Sequence, residues 1–148
     1  MKGKQKAWAY FDTSVLVKRY VREDGSDQAQ KLLQKYRFIS SAITPVEAST
    51  SFRRRKDSGD IERRHFDAII KRFDTDRQSW ELIETGKDVL DRAERLGREN
   101  KVRALDTVHL ASAILFTEAI RRSVPFLTAD SAQRDAAVAL SLDVVWVE

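Results

Sequence analysis

The chain has 148 residues, of which 42% are hydrophobic, 34% are charged and none is cysteine. This length and apolar content fit one compact domain over residues 1–148 and exclude a disordered chain. The lack of cysteine excludes disulfides and thiolate metal sites. No apolar run approaches the ~20 residues of a membrane span or forms a signal peptide, so we expect a cytoplasmic protein with no membrane partner. The net charge of +4 permits nucleic-acid binding without requiring it.

Short apolar runs alternate with segments of helical periodicity along the chain. This alternation is typical of an α/β fold with a parallel sheet. Ser26 and Asp60 are expected to cap the second and fourth helices. The predicted elements in chain order are strand 7–11, helix 14–21, helix 27–34, strand 36–40, helix 44–56, helix 61–73, strand 80–83, helix 87–99, helix 105–120, strand 124–128, helix 131–140 and strand 144–147.

Two acidic residues, Asp12 and Asp130, come directly after apolar segments that are predicted to form strands. In open parallel sheets, ligands bind outside the carboxyl ends of the strands. If strands 7–11 and 124–128 are parallel members of one sheet, both carboxylates lie at that edge.

Two more acidic residues lie near predicted helix starts. Glu47 is in the first turn of helix 44–56, and Asp106 begins the mostly apolar helix 105–120. Four carboxylates brought together by the fold would repel one another unless a cation lay between them. Because the chain lacks cysteine, we interpret Asp12, Glu47, Asp106 and Asp130 as oxygen ligands of a divalent metal.

Each acid has an alternative role at a helix terminus. Thr44 and Glu47 match a capping box, and Asp130 or Ser131 could cap the helix that follows. For Glu47 and Asp130, the roles of helix cap and of metal ligand therefore stay equally open.

For Asp12 and Asp106, the ligand role is favoured. Asp12 is followed by Thr13 and Ser14, which gives more capping side chains than one helix start needs. Asp106 is expected to be buried with its apolar neighbours, Leu105 among them, and a buried carboxylate needs a partner.

Three further titratable residues are weighed as helpers. His109 lies one turn after Asp106, and we expect a hydrogen-bonded core residue that orients a ligand at most. His65 is expected at the surface. Asp135, about one turn into the last helix, either assists or faces solvent and ranks below Asp130.

Two basic sets have solvent exposure as their simplest explanation. The run Arg53–Lys56 ends the helix that carries Glu47, and it could equally hold phosphates or an acidic partner segment. The second set is interspersed with acids, so we expect it to be solvated; it comprises Arg92, Arg95, Arg98, Lys101 and Arg103.

Four motifs in this order resemble the PIN-domain family, and most closely its VapC-like toxins of toxin–antitoxin pairs. The resemblance extends from about residue 8 to residue 147. The motifs are Tyr10–Leu16, Thr44–Glu47, Leu105–Ala113 and Phe126–Asp130.

The resemblance implies a three-layer α/β/α sandwich around a parallel sheet and Mg²⁺- or Mn²⁺-dependent cleavage of RNA. By motif, Asp12 and Asp106 would be the firmest metal ligands, Glu47 would complete the acidic triad, and Asp130 would match a more variable fourth acid. The family also implies a homodimer and a small antitoxin that covers the site.

Three other functions stay open from the residues. Phe11–Ser14 resembles the strand-end motif of haloacid-dehalogenase-like phosphatases, but those enzymes need aspartate where Ser14 stands. An RNA-processing nuclease outside a toxin–antitoxin system is a second alternative. A non-catalytic RNA- or protein-binding module with a structural metal is a third.

Overall fold

The computed structural model describes residues 5–148, which form one five-stranded parallel sheet flanked by helices. The strands are ordered β3-β2-β1-β4-β5, and the expected α/β/α fold is confirmed. The strands are β1 Trp8–Phe11, β2 Arg37–Ser41, β3 Glu81–Ile83, β4 Phe126–Thr128 and β5 Val144–Trp146. The helices are α1 Thr13–Leu16, α2 Ser26–Lys35, α3 Thr44–Asp57, α4 Arg63–Asp76, α5 Lys87–Glu99, α6 Ala104–Ile120 and α7 Ser131–Ala139, with 3-10 turns at Val17–Arg19 and Arg77–Ser79.

The central strand β1 is buried on both faces. Tyr10 pairs in register with Ile39 of β2 and with Phe126 of β4. Successive side chains of a strand point to opposite faces, so Tyr10 faces one helical layer while Phe11 faces the other. A strand covered on both sides must be continuously apolar, which is why Asp12 appears only where β1 ends.

The two faces carry separate hydrophobic clusters. On one face, Tyr10 and Phe126 pack with Leu96 of α5 and Leu110 of α6. On the other, Phe11 packs with apolar residues of α1 and α2. A third cluster, which includes Phe52 and Phe73, joins α3 and α4 to the segment after α1. This packing places the first turns of α1, α3 and α6 at the same edge of the sheet.

Three local predictions are wrong. Helix 14–21 is a single turn of α-helix followed by a 3-10 turn, which buries the same apolar residues in a tighter coil. The N-cap of α2 is Gly25, whose φ of 85° is in the left-handed region, and Ser26 instead accepts from the Glu23 amide and donates to the Val21 carbonyl. Helix α4 begins at Arg63, after Glu62 rather than Asp60.

Hydropathy of the helices bears on membrane association. Within residues 5–148, no helix combines the length and the apolar character needed to cross a bilayer.

Candidate active site at the carboxyl ends of the strands

The acids Asp12, Glu47, Asp106 and Asp130, here called the acidic group, line one cleft of about 630 Å³. Asp12 and Asp130 follow the neighbouring parallel strands β1 and β4, while Glu47 and Asp106 lie in the first turns of α3 and α6. The crossovers of the sheet return each of these helices to the same edge, which brings together residues far apart in sequence.

Asp12 is buried, with 5% of its surface exposed, and is fixed by neutral donors. Its Oδ2 accepts hydrogen bonds from Ser14 Oγ at 2.7 Å and from Thr128 Oγ1 at 2.9 Å. Its side chain makes no cap bond to α1, although Asp12 occupies the N-cap position. The carboxylate is therefore oriented toward the cleft rather than toward the helix amides.

Glu47 is held by two other donors. Its Oε1 accepts from Thr13 Oγ1 at 2.7 Å and lies 2.5 Å from His109 Nε2. The capping box that stayed open for Glu47 is not formed. Helix α3 has Ile43 at its N-cap position and no side-chain cap, and Thr44 Oγ1 bonds Ser40 Oγ at 2.7 Å instead. Burial alone would raise the pKa of Glu47, but the hydrogen bond and charge of His109, together with the hydrogen bond from Thr13, lower it.

His109 lies buried between the acidic group and the core. Its Nδ1 is 2.7 Å from the Tyr10 hydroxyl, and its Nε2 is 3.6 Å from Asp12 Oδ1. Burial alone would lower the pKa of His109, but the hydrogen bond to Glu47 and the charges of Asp12 and Glu47 raise it. His109 thus orients Glu47, in agreement with the supporting role expected for it.

Asp106 projects from the first turn of α6 and is half-buried. Burial and the negative charges of Asp12 and Asp130 raise the pKa of Asp106, and the Arg103 guanidinium only partly opposes this. The expectation that Leu105 is buried is wrong, since 51% of its surface is exposed at the cleft. Burial is the main cause of the raised pKa of Asp106, and the neighbouring carboxylates add to it.

Asp130 does cap α7. Its Oδ1 accepts from the backbone amides of Ala132 at 2.9 Å and Gln133 at 3.1 Å. Its Oδ2 instead accepts from Arg103 Nη2 at 3.0 Å. The cap that remained open for Asp130 is therefore present, and it leaves the second oxygen facing the cleft.

Arg103 bridges two members of the acidic group. Its Nε donates to Asp106 Oδ2 at 3.1 Å, while its Nη2 donates to Asp130 Oδ2. The Arg103 side chain is 75% exposed, as expected, but it also makes these two ion pairs, which were not expected. Its spacing of three residues before Asp106, at the N-cap of α6, could have indicated an ion pair along the helix.

The acidic group suits a divalent cation in its donor chemistry. Within residues 5–148, no three acidic or histidine side chains already converge on one metal position. Yet Glu47 Oε2 and Asp106 Oδ1 accept no hydrogen bond from the described residues, and Asp12 Oδ1 has only the 3.6 Å contact with His109. Oxygens that repel one another and lack donors fit a hard cation such as Mg²⁺ or Mn²⁺, which would draw them closer.

The remaining residues singled out from the sequence lie outside the acidic group. His65 is exposed, as expected. Asp135 is also exposed, pairs with Arg134 and does not line the cleft. Of the run Arg53–Lys56, only Arg54 and Arg55 line the cleft.

Comparison with known proteins assigns the family. The chain matches the PIN domain over residues 9–139. It is 31% identical over 137 residues to Ribonuclease VapC46 of Mycobacterium tuberculosis, and the alignment covers 92% of this chain and 95% of that protein. The chain therefore belongs to the PIN-domain family, and the resemblance noted from its motifs is confirmed.

Solved structures share the fold. A toxin–antitoxin complex from Klebsiella pneumoniae has a chain with a TM-score of 0.65 and 19% identity, covering 93% of this chain and 95% of that one. VapBC2 from Rickettsia felis, bound to a DNA fragment from its promoter, gives a TM-score of 0.65 at 12% identity and covers 95% of this chain and 98% of that one. At such low identity these likenesses establish the fold alone.

Proposed function

We propose that this protein is a divalent-metal-dependent ribonuclease that hydrolyses RNA phosphodiester bonds. The observation that carries the proposal is the acidic group, in which four segments of a PIN fold each contribute a carboxylate to one cleft. The likeness to Ribonuclease VapC46 supports RNA as the substrate.

Asp12, Asp106 and Glu47 would hold the metal, with Asp130 as a further ligand. Mg²⁺ or Mn²⁺ bound there would supply an activated water and offset the charge that builds on the scissile phosphate. Ser14 and Thr128 keep the Asp12 carboxylate aimed at the cleft, so little reorganisation is needed on binding.

Glu47 is prepared for the same task by the residues behind it. Thr13 and His109 both bond Oε1, which keeps Oε2 directed away from them, and the lowered pKa of Glu47 keeps the carboxylate ionised at neutral pH. Such orienting partners change metal affinity or activity by about 10- to 100-fold when removed.

We further propose that the protein is the toxin of a toxin–antitoxin pair. Solved structures with this fold come from toxin–antitoxin complexes, which supports an antitoxin as partner. A small antitoxin and a homodimeric toxin are part of the same proposal. Expression without the antitoxin should arrest growth, whereas harmless expression of an active enzyme would favour an RNA-processing role.

The direct test is cleavage of RNA by the purified protein with Mg²⁺, with Mn²⁺ and with EDTA. Cleavage that depends on added metal and stops in EDTA is the expected result. A phosphatase assay runs alongside, because activity on phosphomonoesters alone would favour the phosphatase alternative. Metal binding without any hydrolysis would favour a binding module.

A further inference from the structure

One wall of the cleft is cationic. It comprises Lys18, Arg54 and Arg55 together with a single acid, Glu23, and is called the cationic wall below. Lys18 lies in the 3-10 turn after α1, while Arg54 and Arg55 lie in the last turn of α3. Two packed segments therefore present these side chains to the same cleft as the acidic group.

Glu23 joins two of these cations. Its Oε1 accepts from Lys18 Nζ at 3.2 Å, and its Oε2 accepts from Arg55 Nη1 at 2.5 Å. Lys18 Nζ also donates to the Asp24 carbonyl at 2.6 Å, and the Lys18 side chain is only 11% exposed. The cations are thus held in place around two oxygens of one anionic group.

The charges of the cationic wall do not balance. Three cations face one carboxylate, which leaves an excess of two positive charges. Among residues 5–148, Arg54 has no ion-pair partner, whereas its neighbour Arg53 pairs with Asp57 away from the cleft. Lys56 lies 4.2 Å above the Phe66 ring. The basic run therefore divides into members used within the fold and members left for an external anion.

We propose that the cationic wall is a binding subsite for a backbone phosphate of the RNA, adjacent to the phosphate that is cleaved. The proposal rests on the ribonuclease function proposed above. Arg55 lies two turns after Glu47 on α3, about 12 Å along the helix axis, so the phosphate held here is not the scissile one. Glu23 occupies the subsite as an internal stand-in, with two oxygens facing two cations as a phosphate would have.

RNA is favoured over an acidic protein segment because the cationic wall and the acidic group line one continuous cleft. A polyanion that is to be cut at a carboxylate-rich centre needs cations beside that centre to offset the repulsion. Arg54, which has no ion-pair partner among the described residues, makes the first contact with the phosphate. The phosphate then replaces the Glu23 carboxylate as the partner of Lys18 and Arg55.

The test is binding of a fluorescein-labelled single-stranded RNA by anisotropy, with the full chain in EDTA so that no cleavage occurs. Arg54→Gln is expected to weaken binding about 3- to 10-fold and to lower the salt slope by about 0.7, the value for one lost phosphate contact. Arg53→Gln, an adjacent arginine paired outside the cleft, is the matched control and should stay within about twofold of wild type.

Glu23→Gln is the decisive variant, because it removes the internal competitor and should tighten RNA binding about 2- to 10-fold. Asp57→Asn makes the same charge change outside the cleft and should have little effect. Equal effects of the two acid variants, or of Arg53→Gln and Arg54→Gln, would overturn the subsite in favour of general electrostatic attraction.

An acidic peptide tests whether the cationic wall binds RNA or a protein partner. An acidic peptide that binds more tightly than RNA of equal charge would reassign the cationic wall to a protein partner. Within the part of the chain that the structure describes, Arg54 makes no ion pair that its substitution would break, so Arg54→Gln still tests the proposal if Glu23→Gln fails to fold. Because the assay needs no hydrolysis, loss of nuclease activity and loss of the subsite are independent outcomes.

Discussion

The two charged regions of the cleft differ in how their side chains are held. The acidic group draws on four segments whose contacts span most of the chain, as in the bond from Thr128 to Asp12. The cationic wall comes from residues 18–24 and the end of α3, joined by Glu23. Neutral donors fix Asp12 and Thr13 helps to fix Glu47, whereas the cationic wall is held by ion pairs.

This difference suggests separate roles: the acidic group carries out the proposed reaction, and the cationic wall binds the RNA. A site that depends on the whole fold keeps its carboxylates in fixed positions, which suits a metal and a reacting phosphate. Cations held by ion pairs can change partners without disturbing that geometry. Substitutions in the acidic group should therefore abolish the reaction, while those in the cationic wall should change RNA affinity.

The largest effect is expected from Asp12→Asn and Asp106→Asn. Each removes a charge from a proposed metal ligand with little change in shape, so metal-dependent RNA cleavage should fall by at least about 100-fold. RNA affinity, measured by anisotropy in EDTA, should not decrease, because the cationic wall is intact. Circular dichroism and thermal unfolding establish that both variants remain folded.

The matched control for these variants is Asp135→Asn. This acid is exposed, pairs with Arg134 and lies outside the cleft, so cleavage should stay close to wild type. Full activity in both Asp12→Asn and Asp106→Asn would show that the acidic group is not the reacting centre.

The fold and the positions of the acids follow from sequence because each depends on a local pattern. Apolar runs predict the strands, and a carboxylate directly after a buried run predicts the sheet edge, as Asp12 shows. The parallel order of β1 and β4 follows from the alternation of strands and helices. These signals need no knowledge of contacts between distant segments.

The remaining features depend on such contacts and could not be predicted. Glu47 matches a capping box locally, but its oxygen bonds Thr13 and His109, whose positions only the packing of α1 and α6 determines. Glu23 likewise lies in an ordinary turn until α3 brings Arg55 against it. Partner choice among surface charges is set by tertiary packing rather than by local spacing.

The His109–Glu47 contact predicts a pH dependence of stability. The pKa of His109 is raised above its usual 6.5, so its stabilising charge is fully present below pH 6.5 and is lost as the pH rises through the raised pKa. The free energy of unfolding in EDTA should therefore decrease above pH 6.5, by at most about 1.4 kcal/mol per pH unit.

Urea unfolding of wild type and His109→Gln over this range measures the effect. The variant should be less stable at pH 6.5, and its free energy of unfolding should no longer decrease above that pH, because glutamine does not titrate. At the acid end, the lowered pKa of Glu47 stabilises the protein above pH 4.5, and this contribution is lost as the pH falls further. An unchanged slope in His109→Gln would assign the pH dependence to another group.

Asp130 offers a smaller effect that separates its two roles. Asp130→Ala removes the cap of α7 and should cost about 1 kcal/mol of unfolding free energy, whereas Asp130→Ser keeps a capping oxygen and most of that stability. Both variants lose the oxygen that faces the cleft, so an equal loss of metal affinity would support the ligand role. Metal affinity unchanged in both would restrict Asp130 to capping.

Arg103 gives the smallest expected effect and tests the boundary between the two regions, because it is a cation placed within the acidic group. Its guanidinium bonds Asp106 Oδ2 and the cleft-facing Oδ2 of Asp130, and its positive charge beside both carboxylates therefore competes with the metal. Arg103→Gln should tighten Mn²⁺ binding, followed by electron paramagnetic resonance, about 2- to 10-fold. Arg54→Gln removes the same charge from the same cleft, but Arg54 does not bond the acidic group. An equal gain in Mn²⁺ affinity in Arg54→Gln would show that Arg103 acts only through the general positive charge of the cleft.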